Sequence, residues 1–286
     1  MLYYIVKMKR DFSDSSVDEF KTFLVSEEKS EKTIEKYIHS VKIFKAYLEE
    51  RKIKTVSKKV LIAYRASCAS LYKPASLNTM IIGLNCFLRW TGKDSSIIKT
   101  VRVQNRMNLE NIFSRADYEN LLKTAKSLHM ERCYLLMRLL ALTGIRIDEA
   151  KFVTVEVIES GICTVFNKNK ARTMYIPASF CVELKEYCKK NNIQNGIIFH
   201  GKNPTKLLDK AKIWRDMDKV AMNAGMKKGV VHAHSFRHFF AKEYFEKYHD
   251  LPDLADILGH SSLETTRIYT RTTSEEKRMR IEGLGL

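Results

Sequence analysis

Residues 257–270 read ILGHSSLETTRIYT, and this stretch holds both a helix stop and a helix start. Gly259 is free to take the left-handed conformation that ends one helix, and Ser261 followed by Glu264 has the spacing of a capping box for the next. The box predicts a helix in which Tyr269 lies about two turns along. His260 is thereby placed in the turn ahead of the helix and Tyr269 near its far end, an arrangement able to aim both side chains at one group. A tyrosine in such a place is, taken alone, more often a packing residue than a chemical one.

Working outward, residues 231–245 read VHAHSFRHFFAKEYF, where His234 and Arg237 stand three apart and share one helical face or its first turn. An imidazole and a guanidinium then point together. Further upstream, LTGIRIDEA at 142–150 puts Arg146 directly after an apolar helix, so its charge falls at the edge of the core and requires an anion. Glu149 or a DNA phosphate would serve. His232, His234 and His238 are close enough to raise metal ligation, but no H-E-x-x-H pattern or cysteine pair accompanies them. A metal would also leave Arg237 and Tyr269 unexplained, and none is assigned.

Between these segments, GICTVFNKNKARTMYIP at 161–177 forms two short β-rich runs around Asn-Lys-Asn-Lys-Ala, a hairpin signal, and IIFH at 197–200 adds a further candidate strand. Helical patterns resume from Lys206. The first hundred residues are helical by period. In SEKTIEKYIHSVKIFKAYLEE (30–50), Ile34, Tyr37, Ile38, Val41, Phe44 and Leu48 form one stripe behind a Ser30 cap. SLNTMIIGLNCFLRW (76–90) repeats the pattern with Leu77, Ile81, Leu84 and Leu88 behind Ser76, and residues 15–26 and 57–72 supply two more helices. These make an all-α bundle over residues 1–91. The polar stretch 92–111 loses periodicity and reads as a linker. A second domain over 112–286 opens with a helix capped by Ser114, followed by a buried one in ERCYLLMRLLALTG.

A chain of 286 residues has room for two such units. Its 50 Lys and Arg against 33 Asp and Glu leave a formal charge of +17, which favours a polyanionic partner and so nucleic acid. No run approaches the roughly 20 apolar residues of a spanning helix, and the apolar stretch in residues 1–10 is too short for a signal peptide. The six cysteines show no C-x-x-C spacing, so reduced and mostly buried thiols in a cytoplasmic, membrane-free protein are expected.

TGIRIDEA (143–150), HSFRH (234–238) and LGHSSLETTRIYT (258–270), in that order and spacing, resemble the three signature segments of the tyrosine recombinase or phage integrase family. The likeness is nearest to its short two-domain Xer-like and transposon-borne members. It implies a mostly α fold with a small antiparallel β-sheet: an N-terminal core-binding, SAM-like bundle and a C-terminal α+β catalytic domain. It also implies Arg146, His234, Arg237, His260 and Tyr269 as catalytic residues, with Tyr269 the nucleophile. The family's catalytic lysine falls on the hairpin, where Phe166–Arg172 lacks the usual glycines and is one residue shorter. Lys168 matches by position, with Lys170 the alternative.

The implied activity is site-specific cleavage and rejoining of double-stranded DNA through a 3′-phosphotyrosyl intermediate, with no metal or cofactor. The implied assembly is a monomer when free and a homotetramer on DNA. The tail SEEKRMRIEGLGL (274–286) would dock on a neighbour through Met279, Ile281 and Leu284, or fold back as a last helix. A type IB topoisomerase-like enzyme and a non-catalytic DNA-binding derivative are the rival readings.

Overall fold

The stripe of Ile34, Val41, Phe44 and Leu48 is buried along α2 (Glu31–Glu50), which packs against α4 (Pro74–Trp90) through Leu77, Ile81, Leu84 and Leu88. Gly83 permits the close crossing, because a methyl group there would stand 3.0 Å from the Ser40 hydroxyl and 3.1 Å from the Tyr37 Cα. α1 (Asp14–Ser26) and α3 (Lys58–Ala69) complete the bundle. Phe12, Phe20, Phe44 and Phe87 meet in its centre with ring centroids about 5 Å apart, the edge and tilted geometries that aromatic quadrupoles favour.

The computed structural model describes residues 11–102, 113–167, 170–260, 262–270, 278 and 281–283, without the side chains of Asn167, Lys170 and Glu264. Ser261 of the expected capping box, Lys168, and the tail residues Met279 and Leu284 lie outside the described residues. Ile281 is 70% exposed. The chain divides into two compact units, Met1–Arg106 and Met107–Leu286.

Two helix starts differ from the sequence expectation. Ser30 occupies the N-cap of α2, but its hydroxyl pairs with that of Thr33 at 2.8 Å rather than with a backbone amide. α4 begins at Pro74, two residues ahead of Ser76, because proline has no N–H to leave unsatisfied in a first turn. The aperiodic stretch after α4 is held by side chains. Asn85 donates to the Ile98 carbonyl (2.8 Å) and accepts from its N–H (3.1 Å), and Asn78 does the same for Val101 (2.9 and 2.7 Å). Two asparagines two helical turns apart thus replace a neighbouring strand.

In the second unit, the Ser114–Asp117 capping box starts α5 (Arg115–Ser127), and α6 (Glu131–Thr143) buries Leu135, Leu136, Met137, Leu139 and Leu140. Gly144 stops α6 at φ +61°, and a side chain there would strike Phe240. A 3-10 turn (Ile147–Phe152) and the short α7 (Val157–Ser160) lead into β1 (Ile162–Asn167) and β2 (Lys170–Tyr175). These pair antiparallel from Ile162 with Tyr175 to Asn167 with Lys170.

Residues 197–200 add no strand to this sheet. Ile197 and His200 make only isolated bridges, to Thr154 and Leu207, since no long partner segment lies beside them. α8 (Ala178–Lys190), α9 (Lys210–Asn223), α10 (Ala233–Tyr248) and α11 (Leu251–Leu258) follow, with α10 packed on α6. After Gly259 the chain forms α12 (Leu263–Thr266) and tightens into a 3-10 turn (Arg267–Thr270) that carries Tyr269. The six cysteines are free thiols, four of them buried. No helix among the described residues is long and apolar enough to cross a membrane.

Replacing Asn85 by Ala strips a buried backbone N–H and C=O of their partner. It is expected to destabilise the first unit by about 2–3 kcal/mol in chemical denaturation.

Candidate active site

Arg237 is 1% exposed, among the most deeply buried large side chains described. Its position follows from three helix ends. His232 caps α10, accepting from the Ser235 N–H through Nδ1 at 3.2 Å, which sets Arg237 in the second turn. Nη1 donates to the Gly144 carbonyl at the end of α6 (2.7 Å), and Nη2 donates to the Leu258 carbonyl at the end of α11 (2.6 Å). Helix C-termini present unpaired carbonyls and partial negative charge, so the two left-handed glycine stops make a socket for a guanidinium. Burial, then the charges of Arg146 and Arg172, push the Arg237 pKa down to about 10, which keeps it charged at neutral pH.

Nη2 also lies 2.9 Å from His260 Nε2. A guanidinium only donates, so Nε2 accepts and the His260 proton resides on Nδ1. That proton goes to the Thr266 hydroxyl at 2.8 Å, on a side chain with no solvent exposure. His260 is thus held neutral, its pKa pushed down to about 4 by burial and by the Arg237 and Arg146 charges.

Glu149, 1% exposed, is the anion beside Arg146. It accepts from the Arg146 Nη1 at 3.2 Å and backbone N–H at 2.9 Å, and takes a bidentate pair from Arg172 at 2.9 and 2.7 Å. Arg172 Nε reaches the Ile257 carbonyl at 2.8 Å. One carboxylate therefore ties β2, the turn after α6 and the end of α11 together. The Arg146 side chain retains 35% exposure, so its guanidinium is open on the side away from Glu149.

His234 faces solvent on one side and packs edge to face on His238 on the other, with centroids 4.5 Å apart. Its pKa is lowered by desolvation and then by the charges of Arg237, His232 and Arg146. Tyr269 is 8% exposed, and its hydroxyl lies 2.5 Å from His238 Nδ1. Burial pushes the phenol up to about 12, against the opposing pull of Arg237.

Arg146, His234, Arg237, His260 and Tyr269 accordingly belong to one cluster, with Arg237 at its centre. Lys168 lies outside the described residues, and of Lys170 only the backbone, paired in β2, is described. Three members were not assigned to this cluster by the sequence, which weighed His238 only as a metal ligand. His238 carried a signal, since it falls one helical turn after His234. Arg172 carried none, because its partners Glu149 and Ile257 are distant in the chain, and Thr266 carried none although His260 is only six residues away, because a threonine there has no signature of its own. No group of three or more His, Cys, Asp or Glu among the described residues is arranged to hold a metal ion.

Residues 111–276 match the phage integrase family, and residues 17–93 match the N-terminal SAM-like domain of phage integrases. The chain belongs to the phage integrase family, the tyrosine site-specific recombinases. It is 28% identical over 277 residues to tyrosine recombinase XerA of Pyrococcus furiosus, covering 94% of each chain. To the TnP I resolvase of Bacillus thuringiensis it is 24% identical over 284 residues, covering 93% of this chain and 98% of that one.

Its fold is that of XerH bound to a palindromic difH substrate (TM-score 0.70, 21% identity, 96% of this chain and 84% of that one). It is also that of a lambda integrase dimer bound to a core site (TM-score 0.71, 17% identity, 92% and 96%).

His238 and His260 both have pKa values near 4 in the folded recombinase, against an ordinary 6.5. As pH falls from about 6.5 toward 4, the unfolded chain takes up protons that the folded one refuses, so stability is lost across that window. Denaturation midpoints measured from pH 7.5 to 4.5 should fall, and should fall less steeply in His238→Phe, which removes one such group.

Proposed function

We propose that this recombinase breaks and rejoins double-stranded DNA at a specific site through a covalent link between Tyr269 and a DNA 3′-phosphate. The observation that carries the reading is the placement of the Tyr269 hydroxyl against the helix that bears His234 and Arg237, with His260 bonded to Arg237. In the proposed step the Tyr269 hydroxyl gives up its proton to His234 acting as base as its oxygen attacks phosphorus, the bond to the 5′ oxygen breaks, and the leaving oxygen takes a proton from Lys168, or alternatively Lys170. The phosphodiester energy is kept in the phosphotyrosyl bond, so attack by another 5′-hydroxyl restores a DNA strand and frees the tyrosine. The scheme uses neither metal nor nucleotide.

A phenol pushed up to about 12 is a weak nucleophile in the DNA-free protein, and extra positive charge or a base has to act when DNA arrives. His234, exposed and neutral-leaning, is the base or hydrogen-bond donor at the open side of the cluster. Arg146 supplies the outward guanidinium fork for a nonbridging phosphate oxygen. Arg237, its nitrogens held by two carbonyls and His260, acts as a fixed positive charge beneath the same phosphate, and His260 orients it.

Residues 1–91 form the core-binding half in this reading and 112–286 the catalytic half, with most of the affinity coming from Lys and Arg contacts to phosphates. The XerH and lambda integrase structures bound to DNA, and the lambda integrase tetramer on a Holliday junction, support assembly as a homotetramer on paired sites, from a protein that is a monomer when free in this reading. Its place of action is the cytoplasm, with DNA as partner.

DNA from the region around the gene, searched for inverted repeats about a short spacer and nicked there to trap the covalent state, provides the test. Tyr269→Phe should bind this DNA with unchanged affinity and give no adduct on a denaturing gel; an adduct in that variant overturns the assignment. Arg146→Ala should slow adduct formation by about 100-fold or more, the usual loss when one donor to a developing oxyanion is removed.

A further inference from the structure

One contact in the cluster has no part in the chemistry above. His238 follows Arg237 directly, and its Nδ1 lies 2.5 Å from the Tyr269 hydroxyl. The two rings stand 5.8 Å apart at 51°. Around Tyr269 the packed side chains of Ala241, Leu254 and Leu258 are apolar, so a buried phenol there needs an acceptor, and His238 is the one the fold provides. On its other face His238 packs against His234, which links the nucleophile to the open side of the site.

We propose that His238 is the positioning residue of the nucleophile: its Nδ1 accepts from the Tyr269 hydroxyl and fixes the phenol oxygen against the helix that carries Arg237. This rests on Tyr269 being the nucleophile. The direction of the bond follows from the two groups, since the phenol lies near 12 and the imidazole near 4, and the proton therefore stays on the tyrosine. His238 orients and does not deprotonate. A neutral imidazole accepting at Nδ1 carries its proton on Nε2, the opposite tautomer to His260, whose proton is on Nδ1 toward Thr266. The carboxamide oxygen of an asparagine falls near the place of Nδ1, whereas a phenylalanine keeps the ring and offers no acceptor.

Two measurements test this on the full-length protein. Nitrogen-15 spectra of the DNA-free chain should show His238 protonated on Nε2 and His260 on Nδ1; a His238 proton on Nδ1 overturns the proposal. Single-turnover adduct formation at saturating nicked DNA should fall about 10- to 100-fold in His238→Phe, as when a positioning contact is lost. DNA affinity should hold, and the Tyr269 Cζ resonance should shift.

His238→Asn should recover most of the rate with the pH profile of the parent. Parental or faster cleavage by His238→Phe, or no recovery in His238→Asn when both variants are folded by circular dichroism, overturns it. Tyr269→Phe run alongside separates the two readings: an adduct there defeats the nucleophile itself. A dead Tyr269→Phe with a fully active His238→Phe defeats only the role of His238.

Discussion

Burying a guanidinium in a protein interior is unfavourable unless its donors find partners, and Arg237 meets that demand on both terminal nitrogens by drawing two helix ends and a histidine around itself. The catalytic unit is organised by this requirement. α6 must stop at Gly144 and α11 at Gly259 for their terminal carbonyls to converge, and both stops use a left-handed residue. Truncating Arg237 would strand two buried carbonyls, so the residue central to the chemistry also holds the fold together. Its loss in a variant would be read in stability as well as in rate.

Glu149 performs the complementary task with opposite charge. A single buried carboxylate gathers Arg146 and Arg172, and through Arg172 it fixes the hairpin strand β2 against the end of α11. The hairpin over 162–175 is therefore anchored at its middle, through Arg172, within the cluster that holds Arg146. Cation and anion are interleaved: Arg237 in its socket of carbonyls, Glu149 between two arginines, with His234 exposed and Arg146 the most open of the three arginines. In the proposed mechanism a DNA phosphate entering there would meet a positive field whose geometry is already set, which is the condition for electrostatic catalysis without reorganisation.

The helices were readable because their signals are local. The three-and-four spacing of Ile34, Val41, Phe44 and Leu48, the cap at Ser114, and the stop at Gly259 each act within a turn or two of themselves. The same holds for the hairpin over 162–175. Harder to read were features whose partners are far away in the chain. Nothing in residues 94–101 indicates that Asn78 and Asn85 will hold their backbone, so the stretch looked like a free linker. The apolar run at 197–200 looked like a strand, although strand formation needs a neighbour that the fold does not bring.

By itself the sequence determined five residues of the cluster and the family they mark, since the order Arg146, His234, Arg237, His260, Tyr269 is a one-dimensional pattern. It also determined the helical architecture, through period and caps. Tertiary structure alone decided what each side chain does with its hydrogen bonds. Only folding brings the ends of α6 and α11 to Arg237, places Glu149 between two arginines, and lays Tyr269 against His238. The physical reason is range: helix signals are settled within a few residues, whereas the protonation and direction of a buried side chain are set by whichever groups the fold places around it.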